Sequence, residues 1–347
     1  MTNKRVAVLS GDGIGPEVTH AAVAVCRAAL DEQSVEWIET PFGNQAYLEQ
    51  GSAFPEESVQ LCDEVDAVLL GAVGGPEELP PDVPRPEKGL LSLRRQLSAY
   101  ANLRPVKPHP ALFDTSPLRA ERLEGVDILF VRELTGGIYF GAKERTEDSA
   151  TDTCVYTVGE VERVVRKACE LAMGRKKKVT SVDKKNVLET SRLWSAVTER
   201  VVRDEFPEIE LESLLVDAMA MHLLSRARDF DVVVTENMFG DILTDEASML
   251  AGSMGMLPSA ALGEGTRGLY EPIHGSAPDI AGQGIANPYA AILSGAMLLR
   301  LSLGMEKVAS RIEAAVDRAV TDSIRTPDLG GSETTSSTTD AVIARLD

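Results

Sequence analysis

Positive charge is what this chain is short of: 35 lysines and arginines stand against 54 aspartates and glutamates, a formal net charge of −19. That balance argues against nucleic acid or an anionic membrane as a partner. The acid is spread along the chain and not gathered into a tail, so solubility explains it most simply. Cysteine is scarce as well. Cys26, Cys62, Cys154 and Cys169 show no C-x-x-C pairing, and four in 347 residues make no disulfide framework, which fits a reducing cytoplasm. No apolar run is long enough to span a bilayer, and no signal-like apolar stretch precedes the first strand, so the expectation is a soluble, cytoplasmic protein. A G-x-x-x-x-G-K-[ST] loop is missing, which removes the P-loop route to phosphoryl transfer. There is no internal repeat. What remains is a globular composition, 44% hydrophobic and long enough for two domains.

The apolar run Asp231-Val232-Val233-Val234-Thr235 reads as a buried strand. Past Phe239 the spacing turns helical, with Ile242, Leu243, Met249 and Leu250 available for an inward face. Asp241 and Asp245 then lie on one helix face, one turn apart. Two like charges that close are tolerated best with a cation between them, and oxygen-only ligands favour Mg²⁺ or Mn²⁺. A solvated acidic face is the bland alternative. Position favours the metal, because open α/β sheets place their ligands just past the ends of buried strands.

The start of the chain reads strand (6–9), loop, then helix to about residue 30, with Pro16 at the first helical position and Glu17 beside it. Gly11-Asp12-Gly13-Ile14-Gly15-Pro16-Glu17 approaches a dinucleotide fingerprint but lacks the third glycine of G-x-G-x-x-G. Strands at 35–39 and 67–70, with helical stretches between, predict a largely parallel sheet. A proline-rich acidic loop (76–86) precedes a helix opening at Glu87. On it Leu90 and Leu91, with Arg94 one turn on, suit either a core stripe or an apolar pocket beside a carboxylate clamp. Arg104 and Arg132 stand at the ends of strand-like runs, and arginine is the residue that grips carboxylates bidentately; salt bridges are the competing reading for each. Tyr139 follows Gly136 and Gly137, which give the backbone room to bring a phenol close to a ligand.

Residues 142–157 read as irregular or as an extended arm, 158–173 as a helix, and 175–178 as a solvated basic cluster at its end. A strand from 179 leads into a polar loop and a helix to about 206, and 210–216 into a helix beginning at Asp217, where an aspartate can serve merely as N-cap. The loop Glu271-Pro272-Ile273-His274-Gly275-Ser276-Ala277-Pro278-Asp279-Ile280, continued to Asn287, suits backbone-led binding of a nucleotide. Helices at 288–303 and 306–323 follow, then a Ser/Thr-rich turn at 334–339 before a short last helix.

Taken together, the 11–17, 237–245 and 271–279 motifs resemble the β-decarboxylating dehydrogenases. Gly89-Leu90-Leu91-Ser92-Leu93-Arg94, residues 132–141 and Val216-Asp217-Ala218-Met219-Ala220-Met221 are similar to the isopropylmalate branch of that family. The resemblance runs from Lys4 to Gly331. It implies two α/β domains around a central cleft, in the isopropylmalate/isocitrate dehydrogenase-like fold, with a dimerisation arm. Residues 1–102 with 253–347 would bind the cofactor, and 103–252 would carry substrate, metal and dimer contacts. It implies oxidation of the 2-hydroxyl of 3-isopropylmalate by NAD, then loss of the 3-carboxylate as CO₂ with Mg²⁺ or Mn²⁺ bound, in a homodimer with shared active sites. Under that resemblance Arg94, Arg104 and Arg132 hold carboxylates, and Leu90 and Leu91 meet the isopropyl group. Asp241 and Asp245 bind metal with Asp217 of the partner subunit. Lys184 of the partner subunit is the base and Tyr139 the proton donor, while Asn186 and Val187 reach across the interface. Ile14, Glu87, His274, Gly275, Ser276, Ala277, Asp279, Ile280 and Asn287 match the cofactor positions. The chain departs from the family pattern in its short 76–86 loop, which lacks a tryptophan, and in Glu236, where a glycine is common.

Overall fold

The computed structural model describes residues 4–30, 35–75 and 86–346. The chain divides into two compact units, Met1–Ala99 with Gly252–Asp347, and Tyr100–Ala251. In the first, β1 (Lys4–Gly11), α1 (Gly15–Ala29), β2 (Val35–Glu39), α2 (Gly43–Gln50), α3 (Glu56–Glu64), β3 (Ala67–Ala72) and α4 (Glu87–Gln96) follow one another. The second unit holds β4 (Ala101–Val106), α5 (Ala120–Leu123), β5 (Ile128–Glu133), β6 (Lys143–Arg145), β7 (Ala150–Asp152), α6 (Val158–Met173), β8 (Lys178–Asp183), α7 (Glu189–Glu205), β9 (Glu210–Leu215), α8 (Val216–Arg226), β10 (Val232–Thr235) and α9 (Asn237–Ala251). The chain then returns to the first unit with β11 (Pro258–Leu262), β12 (Gly268–Pro272), α10 (Tyr289–Leu301), α11 (Glu306–Thr321) and α12 (Thr335–Ile343). Ten of the expected loop residues, 76–85, lie outside the described residues.

The first unit's strands run in the order β2-β1-β3-β12-β11. Pairing is parallel from β2 to β12 and antiparallel between β12 and β11. In the second unit the order is β4-β5-β10-β8-β9, antiparallel only at β4–β5. The α/β class read from the sequence is therefore correct. β3 and β10 are buried along their whole length, as unbroken apolar runs are when helices cover both faces of a parallel sheet. Helix α6 has the predicted bounds because Thr157 and Glu160 close a capping box at its start, and Val161, Val164, Val165, Ala168 and Ala172 bury one face.

Several readings need correcting. On α9 the inward face is the stripe Phe239, Leu243, Ala247 and Leu250, whereas Ile242 and Met249, beside that stripe, are 60% and 44% exposed. Of the two readings for residues 142–157, the extended one holds, since they contain an antiparallel ribbon, β6 on β7. The Ser/Thr run at 334–339 is no turn, since Thr334 caps α12 in a capping box with Ser337 and the rest lies inside the helix. Asp217 is not the N-cap of α8; Leu215 is. Strands β11 and β12 went unread. Among the described residues no helix is long and apolar enough to cross a membrane.

The basic run at 175–178 is not merely solvated. Arg175 donates to Asp231 Oδ1 at 2.7 Å and to Asp127 Oδ1 at 2.7 Å, and Asp231, at the mouth of β10, is fully buried. Removing the arginine takes away the charged donor of a buried carboxylate and leaves it, among the described residues, the Lys176 amide at 2.8 Å. Arg175→Ala is expected to destabilise the fold by about 2–4 kcal/mol, measured as a lower urea midpoint at unchanged slope; a loss under about 0.5 kcal/mol, the scale of an exposed pair, would show the interaction to be superficial.

Candidate active site

Strands β5 and β10 end side by side in the second unit, the start of the antiparallel β4 lies beside the end of β5, and the chain leaves β10 directly into α9. Gly240 makes this possible. A Cβ there would fall 2.6 Å from Arg132 Cγ, so the first turn of α9 rests on the arginine's aliphatic stem. Arg132, 2% exposed near the end of β5, donates from Nε and Nη2 to Asn237 Oδ1 at 3.1 and 2.8 Å, and from Nη1 to Asp241. Arg104 lies within β4, not at its end. It donates to Asn102 Oδ1 at 2.7 Å and Thr244 Oγ1 at 2.6 Å, and its guanidinium is 3.6 Å from Asp241 and 3.7 Å from Asp245. Tyr139 sits on the short 3₁₀ turn after Gly137, whose φ of 75° brings the chain around above Tyr156. Its hydroxyl donates to Asp241 Oδ2 at 3.0 Å. Burial, and then the Asp241 charge, push the Tyr139 phenol above its ordinary range, so it stays a proton donor at neutral pH. Burial also raises the Asp245 carboxyl, against the pull of Arg104.

Five of the sequence-predicted residues thus form one cluster: Arg104, Arg132, Tyr139, Asp241 and Asp245. Lys184 and Asp217 do not join it within the same chain; they pair with each other, and that lysine holds the exposed Asp217 carboxyl below its usual range. Asn186 and Val187, on the turn after β8, are exposed. Among the described residues no three His, Cys, Asp or Glu side chains of one chain are arranged to hold a metal. The hard carboxylate pair on α9 fits a divalent cation, and further oxygens must come from outside this chain's own cluster.

In the first unit Arg94 is buried on α4 and bonds Glu271 Oε1 at 2.7 Å, a partner the sequence did not announce. Leu90 and Leu91, one turn earlier, are half-buried, and Glu87 is exposed. A cavity of about 440 Å³ is lined by Ile14, His274, Ile280 and Asn287 together with Ser253, Met254, Ile285 and Asp328. Gly275, Ser276, Ala277 and Asp279 belong to the same loop, with Ala277 in the left-handed region at φ 38°. Burial pushes the His274 imidazole below its ordinary range, and among the described residues its Nε2 has no hydrogen-bond partner. Asp328 escaped the sequence reading, though it accepts from Ser253 Oγ at 2.6 Å and Asn287 Nδ2 at 2.9 Å. So did the role of Asp12, a buried carboxylate accepting backbone N–H groups of Asn44, Gln45 and Gly74 at 2.9–3.0 Å. Next to it, the Ile14 amide donates to Ser276 O at 2.8 Å. An aspartate between two glycines that both adopt positive φ was the available signal.

Glu236, the unusual residue before Asn237, caps α9: its Oε1 accepts from the Phe239 amide at 2.9 Å. It lines a cavity of about 300 Å³ with Tyr156, Asp183 and Trp194. Burial raises its carboxyl above the ordinary range. The folded chain therefore holds this proton more tightly than the unfolded one, so the stabilisation is complete below the unfolded value and is lost as pH rises through the folded value. Glu236→Gln, which keeps the capping oxygen, should melt higher than wild type at pH 8 and lose that advantage towards pH 4. Melting curves that stay parallel over this range would refute the burial argument.

With this geometry established, comparison places the chain among known proteins. The isocitrate/isopropylmalate dehydrogenase family profile matches residues 5–343, and the chain belongs to that family. It is 54% identical to a 3-isopropylmalate dehydrogenase of Anaeromyxobacter dehalogenans over 352 residues, covering 99% of each chain. Against the 3-isopropylmalate dehydrogenase of Bacillus subtilis it is 53% identical over 344 residues, 96% of this chain and 94% of that one. Among solved structures, isocitrate dehydrogenase from Methylococcus capsulatus superposes with a TM-score of 0.89 at 33% identity, covering 99% of each chain. A β-decarboxylating dehydrogenase from Thermococcus kodakarensis gives 0.81 at 38%, covering 99% of this chain and 96% of that one. The family read from the motifs is borne out.

Proposed function

We propose that this chain catalyses the NAD-dependent oxidative decarboxylation of 3-isopropylmalate to 4-methyl-2-oxopentanoate and CO₂, a step of leucine biosynthesis. The observation that carries the reading is the cluster of Arg104, Arg132, Tyr139, Asp241 and Asp245: two guanidinium groups, a neutral phenol and a paired carboxylate within contact of one another. Names of relatives at 52–55% identity point the same way.

The arginines orient the carboxylates of the substrate, Arg104 and Arg132 with Arg94, by charge-assisted hydrogen bonds. Leu90 and Leu91 present an apolar surface to the isopropyl group, where a charged substituent would be buried unpaired. Lys184 of the partner subunit accepts the hydroxyl proton, and Tyr139 returns a proton to carbon after CO₂ has left. Asp241 and Asp245, with Asp217 of the partner subunit, would hold Mg²⁺ or Mn²⁺; when bound, the ion supplies Lewis-acid stabilisation of developing oxygen charge, and NAD supplies the hydride acceptor. For the nucleotide, Ile14, His274, Ile280 and Asn287 offer a half-apolar cavity, and Asp279 would accept from ribose hydroxyls and repel a 2′-phosphate.

A homodimer is supported by the exposed apolar side chains Met221 (63%) and Leu224 on α8 with Ile242 and Met249 on α9, two helices that pack on each other. Such faces are covered in assemblies with two-fold symmetry. The pairing of Lys184 with Asp217, away from the Tyr139 cluster, fits sites completed by a second copy.

A panel assay separates the sister activities. NADH production should be fastest with 3-isopropylmalate, and malate, lacking the isopropyl group, should lose roughly 1–3 kcal/mol of transition-state binding per missing methylene contact. Faster turnover of isocitrate, homoisocitrate or tartrate, or equal use of NADP, would displace the assignment. The shared site is read by mixing. Tyr139→Phe and Lys184→Ala homodimers should each lose about 10²–10⁴-fold in kcat. Co-expressed, half the dimers are mixed and each mixed dimer has one intact site, so about a quarter of wild-type activity should return; no recovery would place both residues in the same subunit's site.

A further inference from the structure

The arginines of this protein are held in two different ways. Some are paired straight to carboxylates: Arg175 to Asp231, Arg166 to Glu205 at 2.7 and 2.9 Å, Arg300 to Glu306 and Glu313, and Arg94 to Glu271 at 2.7 Å. In the Tyr139 cluster neutral groups share the orienting with the α9 carboxylates, Arg132 also bonding Asp241 and Arg104 lying 3.6 and 3.7 Å from Asp241 and Asp245. Arg104 is aimed by the Asn102 amide oxygen and the Thr244 hydroxyl, and Arg132 by Asn237.

Asn237 is 1% exposed, and each of its polar groups has a defined partner. Oδ1 takes both Nε and Nη2 of Arg132. Nδ2 donates to Gly136 O at 3.1 Å, at the start of the turn carrying Tyr139. The backbone amide donates to Tyr156 Oη at 3.0 Å. Donors on one side and an acceptor on the other fix which end of the amide is which. The first turn of α9, four residues before Asp241, is thereby tied to the arginine and to the tyrosine turn at once. The carboxylate that Arg132 does touch, Asp241, is one assigned above to the cation.

We infer that Asn237 is a positioning residue whose neutrality matters as much as its shape: it aims Arg132 without consuming the positive charge that a substrate carboxylate needs. An aspartate would fit the same space and accept the same two N–H groups. It would also neutralise the guanidinium and set an anion against Gly136 O where a donor now stands. This rests on the reading of Arg132 as a substrate clamp.

Three variants test it, in the full-length dimer, with KM for 3-isopropylmalate, KM for NAD, kcat and thermal midpoint measured on each. For Asn237→Asp, KM for 3-isopropylmalate should rise about ten- to hundredfold with KM for NAD within about twofold of wild type. Asn237→Ala, which removes the aim but leaves the charge, should raise it less. A residue that only filled space would give the reverse order, the isosteric aspartate mild and the alanine severe, and that result overturns the inference. Asn237→Ser restores a neutral oxygen, so its KM should fall below that of Asn237→Ala; this comparison decides the matter if the aspartate variant does not fold, and equal KM values for serine and alanine overturn the inference. Wild-type turnover guards the premise: if another malate is the better substrate, the functional reading fails in the wild type, and the same variant order is then read on that malate.

Discussion

Everything in the second unit turns on one steric fact, the fit of Gly240 against the stem of Arg132. A buried parallel strand can deliver a helix N-terminus to its end, but α9 lands close enough to use only because no side chain intervenes. From that contact follow the bond of Arg132 to Asp241, the reach of Tyr139 to the same carboxylate, and the approach of Arg104 from β4. A single methyl group at 240 would push the helix away and separate cation, phenol and acid together. The groups of the cluster are individually ordinary; their assembly rests on packing.

The first unit solves its problem differently. Where the second unit uses a missing side chain, the first uses a carboxylate as a staple. Asp12 collects three backbone amides, two from the first turn of α2 and one from the chain just after β3, and the neighbouring Ile14 amide fastens the 273–287 loop through Ser276. The left-handed glycines on either side let the chain turn sharply enough for that geometry. The loop that lines the cavity is thus positioned by backbone bonds, which many side-chain changes would leave intact.

Much of this was legible beforehand. The runs of β3 and β10 and the stretch of α6 were readable because burial on both faces, or along one stripe, leaves a pattern in composition alone. The five-residue cluster was legible as separate motifs, each carrying its own chemistry. What stayed hidden was pairing. Nothing local says that Arg94 will meet Glu271, that Arg175 will reach Asp231, or that Asn237 will aim Arg132, since each bond joins residues far apart in the chain. The start of α9 was hidden for a local reason: Glu236 acts as its cap, and glutamate is not among the usual N-cap residues. The outward Ile242 and Met249 then look wrong for a lone subunit and right for a face that another surface covers.

The chain's excess of acid also bears on how the proposed arginine clamp would work. A protein of net charge −19 surrounds itself with a field that disfavours the approach of a dianion. Salt screens that field beyond about 8 Å at physiological ionic strength, whereas contacts made to Arg104 and Arg132, which are nearly fully buried, are screened far less. Attraction is therefore confined to the last few ångströms. Ionic strength acts on the arrival of the substrate and hardly on the grip, so the surface can remain uniformly acidic without weakening the hold at its centre.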